Sequence, residues 1–408
     1  MIARAVDLLQ IVEPLCAHEG RGPGTDAERR AGRFLEGRLR EAGREVEVET
    51  HWTRPHWPLV HALHGSLGVG GSLLATTEPV AGLAVLAVTL VSCVSDLTGR
   101  FHVLRRITPE RATQNLVSPS PEGAAERPVR LVIAAGYDAG HGGLAYRDAL
   151  RRRDARIRRA LGGRWPGPFG LMVAALALLV AVAGARAAGP DTQWLGVVGL
   201  LPTVGLLIAV ALLLDIALSD TTPGAGDAAG VAVALELAAV LNAAPPQRLA
   251  VEVVLAGAAH GPHLGMRGYV RRHRPSVDPE RVAVLHIGSC GGGTPAFWTH
   301  DGALFPLRLH RRLVQLAAEV AVSEPHLRAR PHHGREGTGA YPARVARWPA
   351  IAVACLDRDG VPPRSGRSED TPENLDPAAA GAALELCLAL IDRLDHDLAH
   401  LDLPPPPP

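Results

Sequence analysis

Lysine is absent from all 408 residues. The 42 basic side chains are all arginine, and against 41 acidic ones they leave a formal net charge of +1. Such a balance excludes a polyelectrolyte and argues against a nucleic-acid-binding surface. Without lysine, a Gly-x-x-x-x-Gly-Lys-Ser/Thr phosphate loop is excluded too. With 34 prolines and 44 glycines, the arginine bias reads as the mark of a GC-rich gene. Cysteine is sparse. Cys16, Cys93, Cys290, Cys355 and Cys387 are odd in number, widely spaced and without a CxxC pair, so neither a disulfide framework nor a structural zinc knuckle is expected, and the thiols read as reduced and cytosolic. The first residues, Met1-Ile-Ala-Arg-Ala-Val-Asp, place charge where a signal peptide needs its apolar stretch.

What the sequence has in excess is apolar surface. Hydrophobic residues make up 47% and the mean hydropathy is +0.11 although 20% of residues are charged, and the excess is gathered in blocks. About 21 uncharged residues lie between Arg164 and Arg186 and about 23 between Asp191 and Asp215, against the roughly 20 that cross a bilayer as a helix. Between Arg54 and Asp96 the one charge is Glu78, beside Pro79, which reads as a second hairpin over 57–76 and 79–97; its first half holds His61, His64 and four glycines. These segments predict about four transmembrane helices in two hairpins, 57–97 and 165–214. Arginines crowd the ends away from the hairpin tips (Arg100, Arg105 and Arg106, and the run Arg151, Arg152, Arg153, Arg156, Arg158, Arg159). The excess of positive charge therefore places 1–56, 98–164 and 215–402 together on the cytoplasmic side of the inner (plasma) membrane of a multi-pass protein. The same run suits anionic lipid, though its role as a topology signal suffices. Spans with scarcely an ionisable residue beyond His61 and His64 argue against transport.

The polar segments alternate strands and helices. Helical spacing marks 27–42, 228–241, 305–321 and 377–394; strand patterns mark 44–50, 129–135, 249–256, 282–287 and 350–356, the last four as buried central strands. Alternation of this kind implies an α/β sheet covered on both faces, built as one domain interrupted by the two hairpins, with a proline tail at 403–408. Ligands gather at the carboxyl ends of strands in such sheets. The residues there are Ala134-Ala-Gly-Tyr-Asp138, Pro223-Gly-Ala-Gly-Asp227, Ala258-Ala-His260 and His286-Ile-Gly-Ser289, followed later by Ser365-Gly-Arg-Ser-Glu-Asp370. Asp370-Thr-Pro-Glu373 also has the spacing of a capping box for the last helix. His332-His333 reads as a solvated loop, and Cys290 as a plain buried or loop thiol.

Order and spacing of these motifs, from Arg21-Gly-Pro-Gly-Thr-Asp-Ala-Glu28 through Gln114-Asn-Leu-Val117 to the closing Asp370-Thr-Pro-Glu-Asn-Leu-Asp376, resemble the zinc-dependent exopeptidases, or di-zinc aminopeptidases, to which glutaminyl cyclases and the transferrin-receptor ectodomain are also related. The resemblance covers all three polar segments and implies a three-layer α/β/α sandwich on a mostly parallel mixed sheet. Family members hold two zinc ions through five side chains and use a general base for the shared water. Carried over by position, the first histidine falls on Gly136, with its orienting aspartate kept as Asp138, and the bridging aspartate is kept as Asp227. The general base falls on Ala259 and the next ligand on His260; the remaining two ligands fall on Gly288 and Gly366. A positioned general base is worth about 10²- to 10⁴-fold in rate, and alanine cannot move a proton.

The apolar hairpins, which have no counterpart in soluble members of the family, and the ligand and base positions lost from the resemblance together imply a membrane-anchored pseudopeptidase without a cofactor, acting as a binding or scaffold protein for an unidentified protein or peptide partner. The alternative is a membrane-bound zinc hydrolase with a rebuilt one-metal site at Asp227 and His260, helped by His141, His263 or His286.

Overall fold

A computed structural model describes residues 2–99, 101–121, 123–124, 126–161, 165–189, 192–335 and 337–399. The proline tail at 403–408 lies outside them. The chain opens with α1 (Ile2–Cys16), α2 (Asp26–Glu41) and β1 (Glu47–Thr53), then a helical hairpin of α3 (Trp57–Thr77) and α4 (Pro79–Thr98). It continues with β2 (Arg111–Ser118), β3 (Val129–Gly136) and the arginine-rich α5 (Asp148–Ala160), and a second hairpin follows, α6 (Gly167–Ala188) and α7 (Gln193–Leu218). The last part comprises α8 (Ala225–Ala243), β4 (Leu249–Ala256), α9 (Leu264–His273), β5 (Val282–Ile287), β6 (Thr294–Asp301), β7 (Leu307–Arg308), α10 (Arg311–Ser323), β8 (Arg330–His333), α11 (Ala340–Val345), β9 (Ala350–Leu356) and α12 (Pro377–Ala399).

Strands from all three polar segments join one nine-stranded sheet in the order β1-β2-β4-β3-β5-β9-β6-β7, with β8 on β6. Its centre, β4-β3-β5-β9, is parallel, and every residue of β4, β5 and β9 is buried, as strands covered on both faces require. Alternate residues of these strands feed two cores. Leu131, Ile133, Val253 and Val353 pack with α1, α2, α8, α10 and α12, whereas Val132, Ala134, Val254 and Val284 pack with α9 and α11. The fold is thus a mixed α/β sandwich.

Several expectations need correction. Parallel pairing is confined to the centre and to β6–β8; β1, β2, β6 and β7 pair antiparallel, so the sheet is evenly mixed and not mostly parallel. Those strands carry polar residues on one face, and apolar runs reveal only the doubly covered centre. The strand expected at 44–50 begins three residues later, because Arg44 is buried and donates to Ser118 Oγ and to the carbonyl of Val251, both at 2.9 Å. The helix expected from Phe305 begins at Arg311, since Leu307–Arg308 pair with β6. His332 and His333 are in β8, His332 edge-on to Trp298, and so are not on a solvated loop.

The hairpins pack on each other as a four-helix cluster. Its core holds Ala62, Ala75, Leu86, Cys93, Met172, Leu176, Leu179 and Leu206. Glycines on α3 and α4 bring the helices close: a Cβ on Gly68 would stand 2.6 Å from Leu176 Cδ2, and one on Gly82 would stand 2.5 Å from the Ala75 backbone. Among the described residues, α4, α6, α7 and α8 are long and apolar enough to cross a membrane. Composition thus selects a different four from those expected. α3 forms as a helix but is not among them, its apolar surface being diluted by glycine and histidine. The apolar stretch of α8, by contrast, is 67% buried, because α8 packs against the sheet.

Gly82→Val should lower the thermal midpoint of the detergent-solubilised protein, with a cost of about 1–3 kcal/mol from overpacking. Gly70→Ala should leave the midpoint unchanged or raise it, because nothing lies within 4 Å of the added Cβ.

Candidate functional site at the strand ends

The parallel centre delivers its loops to one edge. Gly136 is level with Ala256, Ala135 with Ile287, and Ile287 with Val353, so the segments after β3, β4, β5 and β9 emerge side by side. Buried carboxylates hold these loops through backbone N–H groups. Asp138 accepts from Ala259 N at 2.6 Å and His260 N at 2.9 Å. Glu28, on α2, accepts from Ala258 N at 2.6 Å and Gly24 N at 2.7 Å, and from the Thr113 hydroxyl at 3.1 Å. Together they clamp Ala258 at a φ of +45°, a left-handed conformation costly for any residue with a Cβ.

The third carboxylate corrects an expectation. Asp370 does not cap the last helix: it accepts from Gly226 N at 2.9 Å while its carbonyl accepts from Ala225 N at 3.1 Å, so it caps the distant α8. The N-terminus of α12 is held by Asp376, whose carboxylate accepts from Ala378 N at 3.1 Å. Arg21, fully buried, donates to the carbonyls of Pro223 at 3.2 Å and Gly224 at 3.5 Å and places a positive charge behind Asp227.

Burial dominates the electrostatics. It pushes the Asp227 carboxyl up to about 6, with the Asp138 charge adding to the rise, and Asp370 up to about 7, with Asp227 adding. Glu28 and Asp138 are raised for the same reason, and burial holds the His260 ring below the usual histidine range against the pull of Asp138.

At the glycines among the positions singled out in the sequence, an added side chain would meet close neighbours. A Cβ on Gly136 would lie 2.4 Å from that of Ala259, and one on Gly366 would lie 2.4 Å from the Tyr146 ring. At Gly288 a Cβ would meet that of Ala354 at 3.2 Å, and the Gly288 carbonyl backs onto Gly230 of α8. The His260 ring packs against Gly140, its Cε1 and Nε2 2.1 Å from where a Cβ would stand. Asp227 is partly exposed in the first turn of α8.

Other histidines are spent elsewhere. His141 Nδ1 is 2.7 Å from the Ser219 carbonyl, His263 Nε2 is 2.8 Å from that of Gly337, and His286 packs edge-on to His263 and against Gly339. Among the described residues, neither Asp227 nor His260 belongs to a group of three ligand-type side chains converging within 4.8 Å; the group that does is His61, His64 and Cys93, in the helical cluster. Sequence reading missed the clamp role of Glu28, although Thr25-x-x-Glu28 has the spacing of a helix start, and it missed Tyr146. Outside the Gly366 loop, a cleft of about 410 Å³ is lined by Arg151, Arg152, Arg358, Arg364 and Arg367 together with acidic residues.

A carboxyl whose folded pKa is raised contributes stability that is complete below its unfolded value and is lost as pH rises through the folded one. For Asp370 that window runs from the ordinary aspartate value of 3.8 to about 7. Asp370→Asn keeps an acceptor for Gly226 N but cannot ionise, so its thermal midpoint should gain on that of the wild type as pH rises from about 5 to about 8; parallel curves would contradict the burial of the charge.

No protein-family model matches the sequence, and no curated protein matches it. Solved structures do match the fold. The LapA aminopeptidase of Legionella pneumophila superposes with a TM-score of 0.52 at 11% identity, over 96% of this chain and 72% of that one. A glutaminyl cyclase of Bacteroides thetaiotaomicron, bound to N-acetylhistamine, gives 0.53 at 14% identity over 95% and 97%. The glutaminyl cyclase of Porphyromonas gingivalis gives 0.54 at 13% over 96% and 98%. At such identities the likeness is one of fold, and this chain has an aminopeptidase-like and glutaminyl-cyclase-like α/β fold.

Proposed function

We propose that this chain is a membrane-anchored, catalytically inactive pseudopeptidase that serves as a binding or scaffold protein. One observation carries the reading: the Cβ of Ala259 stands where a side chain at position 136 would begin. A side chain at 136 would require the segment that holds Ala259 to shift, so the packing supports the loss of ligand and base read from the sequence. Tyr146 on Gly366 supports the same reading at a second ligand position. The residues present do not fit a pair of zinc ions, and no hydrolytic step through such a pair follows from them.

In this reading α3, α4, α6 and α7 anchor the protein in the inner membrane, with α3 inserted by virtue of its packing against the other three. The hairpin tips face outward and the α/β domain faces the cytoplasm, on the side where the arginines of α5 collect. The cleft lined by Arg151, Arg152, Arg358, Arg364 and Arg367 is a concavity open to a partner, and its excess of arginine over Asp148, Asp357 and Asp359 suits a carboxylate-bearing peptide segment.

The full-length protein, purified in detergent and supplied with zinc, should release nothing above a no-protein control from aminoacyl reporter substrates, and should not cyclise N-terminal glutaminyl peptides. Ala259→Glu alone should restore neither activity. Turnover by the wild type that disappears in both Asp227→Asn and His260→Ala would overturn the proposal in favour of the one-metal hydrolase.

A further inference from the structure

The helical cluster holds a polar group that its apolar packing does not call for. His61 and His64 lie one turn apart on α3 and so project from one face, towards Cys93 on α4. One ligand atom from each of the three lies within 4.8 Å of the other two. All are buried, His61 at 2% exposure and His64 and Cys93 at 0%. Leu86, Met172 and Leu176 belong to the same cluster as Cys93.

The Nε2 atoms of both rings reach partners on α4 that flank Cys93. His64 Nε2 is 3.0 Å from Ser92 Oγ, and His61 Nε2 is 3.4 Å from Asp96 Oδ2. Asp96 is itself gripped by Arg105, which donates from Nε at 2.6 Å and from a terminal nitrogen at 2.9 Å. Nδ1 of His61 is buried without a hydrogen-bond partner, while the His64 ring also meets the backbone of Val60, one turn back on α3. A buried polar atom left unpaired costs about 1–3 kcal/mol, and the one on His61, beside a second imidazole and a thiol, is not explained by packing. A carboxylate behind a histidine is the arrangement by which metal sites orient their ligands, and ionisable groups inside a membrane helix pair mark function by default.

We propose that His61, His64 and Cys93 bind a single copper(I) ion that ties α3 to α4. Two imidazoles and a thiolate are a soft donor set that excludes magnesium and calcium, which take oxygen ligands. Charge selects between the ions that remain. Binding converts the thiol to a thiolate and releases its proton, so copper(I) leaves the site neutral while zinc(II) leaves it with one uncompensated positive charge. Asp96 does not cancel that charge, since Arg105 already neutralises it. In an apolar bundle the neutral complex avoids the desolvation cost. Zinc also seeks a fourth ligand, whereas the group here supplies three. The inference stands apart from the pseudopeptidase reading, because none of its residues belongs to the strand-end site.

The test uses the untagged full-length protein in detergent, titrated anaerobically with copper(I) against a colorimetric chelator, with cobalt(II) and zinc(II) in parallel. The expected result is one copper(I) per chain, a thiolate-to-copper band in the near ultraviolet and a higher thermal midpoint. All three should be lost in Cys93→Ser, and binding should weaken at least tenfold in His61→Ala and His64→Ala. Asp227→Asn and His260→Ala should bind as the wild type does. Cys93→Ser is nearly isosteric, and a wild-type midpoint in the absence of metal establishes that it folds; if it does not fold, the two histidine variants decide by the same titration. Copper(I) binding that survives in Cys93→Ser, stoichiometric zinc or cobalt without copper(I), or no stoichiometric binding would each overturn the proposal.

Discussion

Three buried carboxylates hold the carboxyl edge of the sheet together by accepting backbone N–H groups from loops far away in the chain. Glu28 and Asp138 secure consecutive residues of the segment after β4, and Asp370 secures the first turn of α8. Four parallel strands buried on both faces end abruptly, and the peptide groups beyond them must be satisfied without water. Removing one such acceptor would strand one or two buried donors at once, which is why these acids are kept inside although burial raises their affinity for protons.

That arrangement also explains how the site closes. Asp138 holds the Ala259 and His260 amides directly under the end of β3, which drives the Ala259 methyl into the space in front of Gly136. His260 is then laid on Gly140, and α8 is held against Gly288 by its cap. The glycines at 136, 140, 230 and 366 are each approached too closely for a Cβ, so the strand ends are tightly packed at these positions. A single reverse substitution meets a wall there.

The two hairpins leave the α/β domain and return to it without breaking the sheet, because each has two antiparallel helices. Their attachment is specific. Arg105, just after α4, grips Asp96 and donates to the Arg54 carbonyl at 3.1 Å, and Arg54 donates back to the carbonyl of Thr108 at 2.6 Å, closing the base of the first hairpin. His141 and Asp215 perform a similar service at the second, Asp215 accepting from Leu144 N at 2.6 Å. Polar side chains therefore sit at the hairpin bases, and glycine contacts occupy the interior.

Much of the fold was legible from periodicity. The bounds of β4, β5 and β9 follow from apolar runs, since strands buried on both faces show no alternation and end where the apolar run ends. β2, β6, β7 and β8 were not legible, because polar residues such as Gln114, Asn115, Thr299 and His300 interrupt their apolar runs or the strands are too short to show a period. Gly136, Asp138, Ala259, His260 and Gly288 were placed at or just beyond strand ends, and they follow β3, β4 and β5 there, whereas Asp227 lies in the first turn of α8. Sequence by itself determined which chemical groups are available there, among them an alanine at 259 that cannot move a proton. Tertiary structure alone decided that Asp370 caps α8 and not α12, that Tyr146 stands over Gly366, and that Cys93 meets His61 and His64. Those pairings join residues brought together by the packing of buried surfaces, and spacing along one chain carries no record of what lies across a sheet edge or a helix interface.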